Sequence, residues 1–308
     1  MNKIYDSIII GAGPSGISAA IKLKEAGLDF LIIEGGMPGG KVNIAPRVDN
    51  YPGKKEIPGP DLAYFFFERM QNAGINHEAT FVNSLTKEND LFLVKTDDKE
   101  FLARTIYVAS GTKERKIGLP LEDEMLGHGL SYCALCDGHF FKGQRILVVG
   151  GGNSALKEAI HLSHIASHLV LIHRRNQFRG NEKLVEELKE QPNVEILTPY
   201  IPIEIIASDH IEAIKIQNVE TKEEKVIETE GFFPLVGQIP NTQFIEIDGV
   251  KDEWGTIPVS KTHESNCPSL FAGGDVLPRQ IRQIYLSEHD GMVAAASIIN
   301  RVKELKGE

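Results

Sequence analysis

Apolar and polar positions along this chain form one pattern that occurs twice. Ile4 to Ile10 is an apolar run of the kind that suits a strand buried on both faces. Pro14 to Ala26 is rich in Ala, Ile and Leu at helical spacing, and Leu28 to Ile33 reads as a second strand that ends in Glu34. The second occurrence has a strand at Arg145 to Val149, a helix that runs to about Ile165, and a strand from His168 to Ile172. Towards the C-terminus Leu270 to Ala272 is a short strand and Gly273-Gly274-Asp275 a turn, with mostly helix beyond.

Each strand-to-helix turn carries glycines at a particular spacing. The first reads Gly11-x-Gly13-Pro14-Ser15-Gly16. Gly11 allows the tight turn, Gly13 lets backbone approach a pyrophosphate, and Gly16 lets helix and strand pack closely. The helix N-terminus adds free N–H groups and partial positive charge. Glu34 can accept a hydrogen bond from a ribose hydroxyl, which suits the adenosine of FAD. The second turn reads Gly150-x-Gly152-Asn153-Ser154-Ala155. Its second strand ends in His173-Arg174-Arg175, with Arg179 close behind, instead of an acid. A carboxylate would repel a 2′-phosphate, whereas guanidinium groups bind it bidentately, so this site suits NADPH. A flavin and a nicotinamide in one chain imply hydride transfer. Asp275 beside paired glycines suits a flavin ribityl chain, and the helix that follows suits the electron-rich end of the ring.

These elements predict an α/β fold with two Rossmann-like dinucleotide-binding domains. The C-terminal segment returns to the first domain, which makes the NADPH domain an insertion. The Gly- and Pro-bearing stretches ASGTKERKIGLP and FFPLVGQIPNT are the expected crossings. The FAD domain is then residues 1–113 plus 244–308, and the NADPH domain 114–243. A length of 308 residues fits two domains. The net charge of -10, with acids and bases interleaved, argues against nucleic-acid binding. The N-terminal apolar run breaks at Gly11, too short for a signal peptide or a membrane span, so a soluble, cytoplasmic protein is expected.

The combination of Cys133-Ala-Leu-Cys136-Asp137-Gly138 between the two glycine motifs, HRRNQFRG after the second and FAGGDV…RQI near the end resembles the low-molecular-weight, bacterial-type thioredoxin reductases. The resemblance spans essentially the whole chain. It implies a homodimer with FAD in each subunit and thioredoxin, or a thioredoxin-like disulfide protein, as partner. FAD contacts are implied at Gly11, Gly13, Pro14, Ser15, Gly16, Glu34, Gly35, Gly39, Gly40, Lys41, Asn50, Val82, Ala109 and Gly111, then at Gly274, Asp275, Arg282, Gln283 and Ile284. NADPH contacts are implied at Gly150, Gly152, Asn153, Ser154, His173, Arg174, Arg175 and Arg179. Lys41 stands where Gln is common in that pattern, Ile281 where Tyr is common, and Leu121 where Gly is usual. Glu288 and His289 stand in a stretch where compact residues are usual. The departures at Glu288 and His289 motivate an alternative partner, such as a peroxiredoxin system or a thioredoxin-like protein of restricted distribution.

There are three cysteines, Cys133, Cys136 and Cys267. An odd, sparse count argues against a secreted disulfide framework. A zinc site needs four ligands, and no second close pair exists, so no metal is expected. A redox-active pair remains: a short loop closes a disulfide readily and favours a lowered thiol pKa. Reduction leaves a thiolate that takes up a proton, and Asp137 is adjacent to Cys136 to supply it, while serving also as a turn or cap residue. The resemblance implies that Cys136 faces the flavin and Cys133 attacks the partner. Cysteines and NADPH site share one inserted domain, and both must reach one flavin. Rotation of that domain about its crossings between half-reactions is the expected answer.

Overall fold

The structure, a computed structural model, describes residues 3–45, 47–54, 56–279 and 281–307. The chain divides into two compact units. Unit 1 is residues 1–113 and 239–308, and unit 2 is residues 114–238.

The first part of unit 1 contains β1 (Ile4–Ile10), α1 (Pro14–Glu25), β2 (Phe30–Ile33), α2 (Gly59–Asn72), β3 (His77–Glu78), β4 (Ser84–Glu88), β5 (Leu91–Lys95) and β6 (Glu100–Val108). The outgoing crossing is β7 (Thr112–Glu114). Unit 2 contains α3 (Ala134–Asp137), β8 (Arg145–Val149), α4 (Asn153–Ser163), β9 (His168–Ile172), α5 (Glu182–Lys189), β10 (Val194–Leu197), β11 (Tyr200–Ala207), β12 (Ile211–Asn218), β13 (Glu224–Glu228) and β14 (Gly231–Pro234). The returning crossing is β15 (Gln238–Pro240), and unit 1 closes with β16 (Leu270–Ala272) and α6 (Ile284–Lys306).

Local chemistry explains where these elements start and stop. The exit from α1 follows the glycine-terminated pattern in which two late N–H groups bond back to the last turn. Gly27, at φ +73°, donates to Lys24, and Leu28 donates to Leu23. Leu28 is therefore spent on ending the helix, and β2 starts at Phe30 and not at Leu28 as the apolar pattern predicts. The helix expected directly after Gly273-Gly274-Asp275 is also delayed. Pro278 holds Leu277 extended (φ -77°, ψ 152°), and the long helix begins only at Ile284. The returning crossing falls at Ile239, ahead of the boundary at 244 that Gly and Pro content suggested. The two crossings pair with each other, β7 with β15, as a short two-stranded sheet.

The sheet of unit 1 runs β3-β2-β1-β6-β5-β4. Strands β3, β2, β1 and β6 are parallel, and β5 and β4 return antiparallel. β5 pairs with the start of β6 (Glu100–Ala103), and β16 pairs with its end (Ile106–Val108). One face of the sheet, with Ile9, Ile32 and Tyr107, packs on α1, α2 and α6. The other, with Ile8, Ile10, Ile106 and Val108, packs on a layer that includes Ile245, Val250 and Ile257. Fully burying one such side chain contributes about 1.5–3 kcal/mol. Helix α6 lies on α1 so closely that a Cβ at Gly291 would sit 2.2 Å from the Ser15 carbonyl oxygen.

Unit 2 repeats the plan with a parallel sheet in the order β10-β9-β8-β14. Alternation along β8 sorts its faces. Ile146 and Val148 pack with Leu156 and Leu162 of α4. Leu147 and Val149 pack with Ile214 and Ile216 of the antiparallel β11-β12-β13 sheet.

Candidate functional sites in the two units

In unit 1 the expected FAD residues gather at one end of the parallel sheet. Gly11 follows β1, Glu34 follows β2, Ala109 follows β6, and the Gly273-Gly274-Asp275 turn follows β16. The crevice outside the carboxyl ends of such strands is where open α/β sheets bind ligands. Gly11 has φ +106°, and a Cβ there would lie 2.4 Å from the Ala109 carbonyl oxygen, so no other residue makes this turn. Gly16 packs tightly too, but against the turn itself: its Cβ would meet the Gly11 carbonyl oxygen at 1.9 Å. Around Gly13, by contrast, a Cβ would meet nothing within 4 Å. Gly13 also begins α1 with no side chain bonded to the first-turn N–H groups, which leaves those donors for an anion. These features fit a pyrophosphate.

The loops around this end are tied to one another. Glu34 accepts from the Ala12 N–H at 2.7 Å through Oε2 and from the Gly36 N–H at 2.8 Å through Oε1. Gly39 donates to the Ala12 carbonyl at 2.7 Å. Asn43, which the sequence reading passed over, donates to the Pro38 carbonyl at 2.9 Å and the Gly40 carbonyl at 3.1 Å and so fixes the Gly39-Gly40-Lys41 loop. Expected residues far apart in sequence meet here. Asn50 donates to the Gln283 side chain at 2.9 Å, and Lys41 Nζ lies 3.7 Å from Asp275 Oδ2. Asp290, also missed, is buried and holds the last turn: it accepts from the Gly274 N–H at 2.7 Å and from Arg279 at 2.5 Å. His263 Nε2 stands 3.6 Å from its other oxygen.

Glu288 has a definite task. Its carboxylate takes the Tyr51 hydroxyl at 2.8 Å and Arg69 at 2.8 Å, tethering α6 to α2 and the loop before it. The Tyr51 pKa is pushed up to about 12, first by burial and then by that bond.

In unit 2 the same construction recurs. Gly150 follows β8 and His173 follows β9. Helix α4 begins at Gly152 without a side-chain cap, whereas α5 is capped by Asn181 on the Lys183 N–H. Asn153 accepts from the Asn181 N–H at 2.7 Å, and the N–H groups of Arg179 and Gly180 both donate to the Gly151 carbonyl at 3.0 Å. The arginine segment is thus stitched to the glycine turn. Arg174, Arg175 and Arg179 are exposed, and a Cβ at Gly152 would lie 3.4 Å from the Arg179 guanidinium. His173 differs from them: its ring stacks on Phe178 and lies against Gly151. Burial, then the nearby arginines, pull its pKa down although a bond to the Gln177 backbone opposes them, so it packs as a neutral ring. An anion with a charged phosphate fits the open arginine side of this turn.

The two cysteines are joined as a disulfide, with Cα atoms 5.3 Å apart. Cys133 caps α3, its Sγ accepting from the Cys136 N–H at 3.2 Å. Ser131 links this loop to the expected acid: its hydroxyl accepts from the Cys133 N–H at 3.1 Å and donates to Asp137 Oδ2 at 2.5 Å. On the other side Glu158, on α4, accepts from the Ala134 N–H at 2.9 Å. Burial raises the Glu158 pKa to about 7 against the opposing effect of that bond, and Glu114 adds to the rise. Just before the cysteines, buried Glu122 accepts from the N–H groups of Ile117, Gly118 and Leu119 and from the Tyr132 hydroxyl. Leu121, next to it, takes φ +66°, the left-handed region that a Gly would enter without strain. Neither Glu158 nor Glu122 belongs to a recognisable motif: Glu122 closes a local turn, and only tertiary contact reveals Glu158. Among the described residues no group of three or more His, Cys, Asp or Glu side chains is arranged to hold a metal ion, and no helix is long and apolar enough to cross a membrane.

Two dinucleotide folds, with a disulfide in the segment that precedes the second, define a pyridine nucleotide-disulphide oxidoreductase, and the profile of that family matches residues 5–291. The chain is 38% identical to the thioredoxin reductase of Bacillus subtilis (strain 168), over 99% of this chain and 96% of the relative. It is 40% identical to the thioredoxin reductase of Mycoplasma pneumoniae, over 96% of this chain and 94% of that one. The crystal structure of thioredoxin reductase from Streptococcus pyogenes superposes with a TM-score of 0.91 at 34% identity, covering 99% of this chain and 100% of that one. The chain belongs to the pyridine nucleotide-disulphide oxidoreductases and, within them, to the low-molecular-weight thioredoxin reductases. Proteins of this family use FAD and NADPH.

Proposed function

We propose that the chain reduces the disulfide of thioredoxin with electrons from NADPH, and that Cys133–Cys136 is the last carrier within the protein. The observation that carries this reading is the disulfide itself, formed in a loop that holds an acid one residue from Cys136. When bound, FAD supplies the exchange between a two-electron hydride donor and a disulfide. The strand ends of unit 1 hold it: Gly11, Gly13, Pro14, Ser15 and Gly16 at the pyrophosphate, Glu34 and Gly35 at the adenosine, and Asp275 with Arg282, Gln283 and Ile284 at the flavin end. Gly39, Gly40, Lys41, Asn50, Val82, Ala109, Gly111 and Gly274 complete that set. In unit 2 Gly150, Gly152, Asn153, Ser154 and His173 form the turn, and Arg174, Arg175 and Arg179 take the 2′-phosphate of NADPH.

Two electrons entering the disulfide break the S–S bond, and two protons complete the dithiol. Asp137 delivers one of them beside Cys136. Cys133 then attacks the partner disulfide, a mixed disulfide forms, and Cys136 displaces the reduced partner and restores the starting bond. Leu135 and Phe140, 47% and 38% exposed, give the loop an apolar surface suited to a protein partner. The cysteines and the arginines both belong to unit 2, so the reading includes rotation of that unit about β7 and β15 between half-reactions. It also includes a homodimer in the cytoplasm.

Stopped-flow mixing with NADPH and with NADH, followed by thioredoxin, tests the core of this reading. NADPH is expected to bleach the flavin absorbance at least tenfold faster than NADH, and thioredoxin to restore it. Restoration by a peroxiredoxin-type disulfide protein and not by thioredoxin would overturn the choice of partner.

Asp290 carries a separate expectation. Asp290→Asn keeps an acceptor for the Gly274 N–H but removes the charge from Arg279. Loss of one charge-assisted contact is worth about 1.5–3 kcal/mol. FAD affinity, titrated on apoprotein by flavin fluorescence, should fall about tenfold or more, and an unchanged affinity would remove Asp290 from the support of that turn.

A further inference from the structure

The disulfide segment is held by two carboxyl groups, and only Asp137 has a place in the chemistry above. Glu158 is the second. It reaches from α4 to the Ala134 N–H at 2.9 Å, the backbone link directly after Cys133. Helix α3, with both cysteines at or beside it, packs on α4. We propose that Glu158 is a positioning residue of the redox pair: it anchors the Cys133–Ala134 backbone, and its charge governs how readily the reduced cysteines ionise. This inference rests on the redox reading of Cys133 and Cys136.

The physical argument is one of sign. A carboxylate beside two thiols disfavours a further negative charge, whereas a neutral carboxyl does not. The Glu158 pKa stands at about 7, so its charge changes within the range where the dithiol works. The other titratable groups around it are few. Glu114 on β7 raises its pKa further. Asp137 is the acid on α3, and Lys157 and His161 are its neighbours on α4. His161 is held towards its neutral form by burial and then by His164, which ends α4, and His139 lies on the turn directly after α3. Below pH 7 Glu158 is protonated and leaves the thiols at their intrinsic acidity. Above pH 7 it is ionised and pushes their pKa upward, which slows the growth of thiolate with pH.

The test uses the FAD-loaded protein under anaerobic conditions, reduced in one arm with NADPH and in the other with dithiothreitol. Alkylation by iodoacetamide is followed at Cys133 and Cys136 by mass spectrometry from pH 5.5 to 9. In the parent protein the rate should rise with a break near pH 7. Glu158→Gln, which keeps an oxygen acceptor for Ala134 but no charge, should lose that break and react about three- to tenfold faster at pH 8. Glu158→Asp, which keeps the charge on a shorter arm, should retain the break. An unaltered profile in Glu158→Gln, or a profile in Glu158→Asp that follows Glu158→Gln, would overturn the proposal. The dithiothreitol arm reads Glu158 alone; alkylation there without any in the NADPH arm would overturn the electron route and not the role of Glu158.

Discussion

Cys136→Ser is expected to abolish turnover with thioredoxin, by at least about a thousandfold, and to trap the partner on Cys133. The expectation follows from the roles of the two sulfurs. Exchange of a thiol with a disulfide proceeds through a mixed disulfide, and the second cysteine is what resolves it. In the variant the backbone N–H at position 136 remains, and that N–H donates to Cys133 Sγ at 3.2 Å in the parent structure. It should favour the Cys133 thiolate, so the variant loses resolution but keeps attack. Non-reducing electrophoresis after incubation with thioredoxin should show one adduct, with Cys133 identified in it by mass spectrometry. NADPH should still bleach the flavin in this variant, because the arginines and both glycine turns are untouched. An adduct formed by Cys133→Ser and not by Cys136→Ser would reverse the assignment of the two sulfurs.

The second large effect concerns choice of nucleotide. Arg174→Ala with Arg175→Ala should lower kcat/KM for NADPH about a hundredfold or more and leave that for NADH within about threefold. Each guanidinium contact to a phosphate is worth about 1.5–3 kcal/mol, and tenfold in affinity is about 1.4 kcal/mol. Both side chains are exposed after β9, so water and salt weaken them, and the lower end of the range applies. The loss should fall in KM, since these contacts lie away from the reacting ring, and the NADPH preference of the parent should shrink as salt is raised. A selectivity that survives the double substitution would mean that another part of unit 2 reads the 2′-phosphate.

How far these sites could be read from sequence depends on how local their causes are. Strands β1, β8, β9 and β16 run between the residues that the apolar pattern marks, because a strand buried on both faces announces itself residue by residue. The glycine turns were legible from their spacing: Gly16 is demanded by the Gly11 carbonyl within the turn itself, whereas the Ala109 carbonyl that also demands Gly11 comes from the end of β6. The antiparallel β11-β12-β13 layer was not foreseen. β11 and β12 mix partly exposed and buried positions and β13 buries none, and what assigns the layer to one face is the sheet of β8 beneath it. The helix ends were displaced where one residue changed the backbone, as Gly27 did after α1 and Pro278 did before α6. Asp290, Glu122, Glu158 and Asn43 were invisible for a different reason. Each reads as an ordinary polar residue and matters through backbone N–H or carbonyl groups that no motif marks, nearby in the chain for Glu122 and Asn43 and distant for Glu158 and Asp290. Glu288 reads in sequence as an intrusion near the flavin end, but Tyr51 and Arg69, both distant in the chain, give it partners.

The pairing of β16 with the end of β6 bears on how the protein is made. Leu270 lies beside Ile106, and every residue of unit 2 is synthesised between them. Unit 2 is continuous and can fold as soon as it leaves the ribosome, as domains generally do. Unit 1 must wait with the end of β6 unpaired and with α1 uncovered, because β16 and α6, which complete it, are translated after unit 2. The unit that begins the chain is therefore the last to be completed. A cofactor that needs all four strand ends of unit 1 can be captured only after unit 2 and β16 have been made. In the meantime the unfinished sheet offers an open edge to any other chain, which makes the nascent protein most prone to aggregation before β16 and α6 emerge.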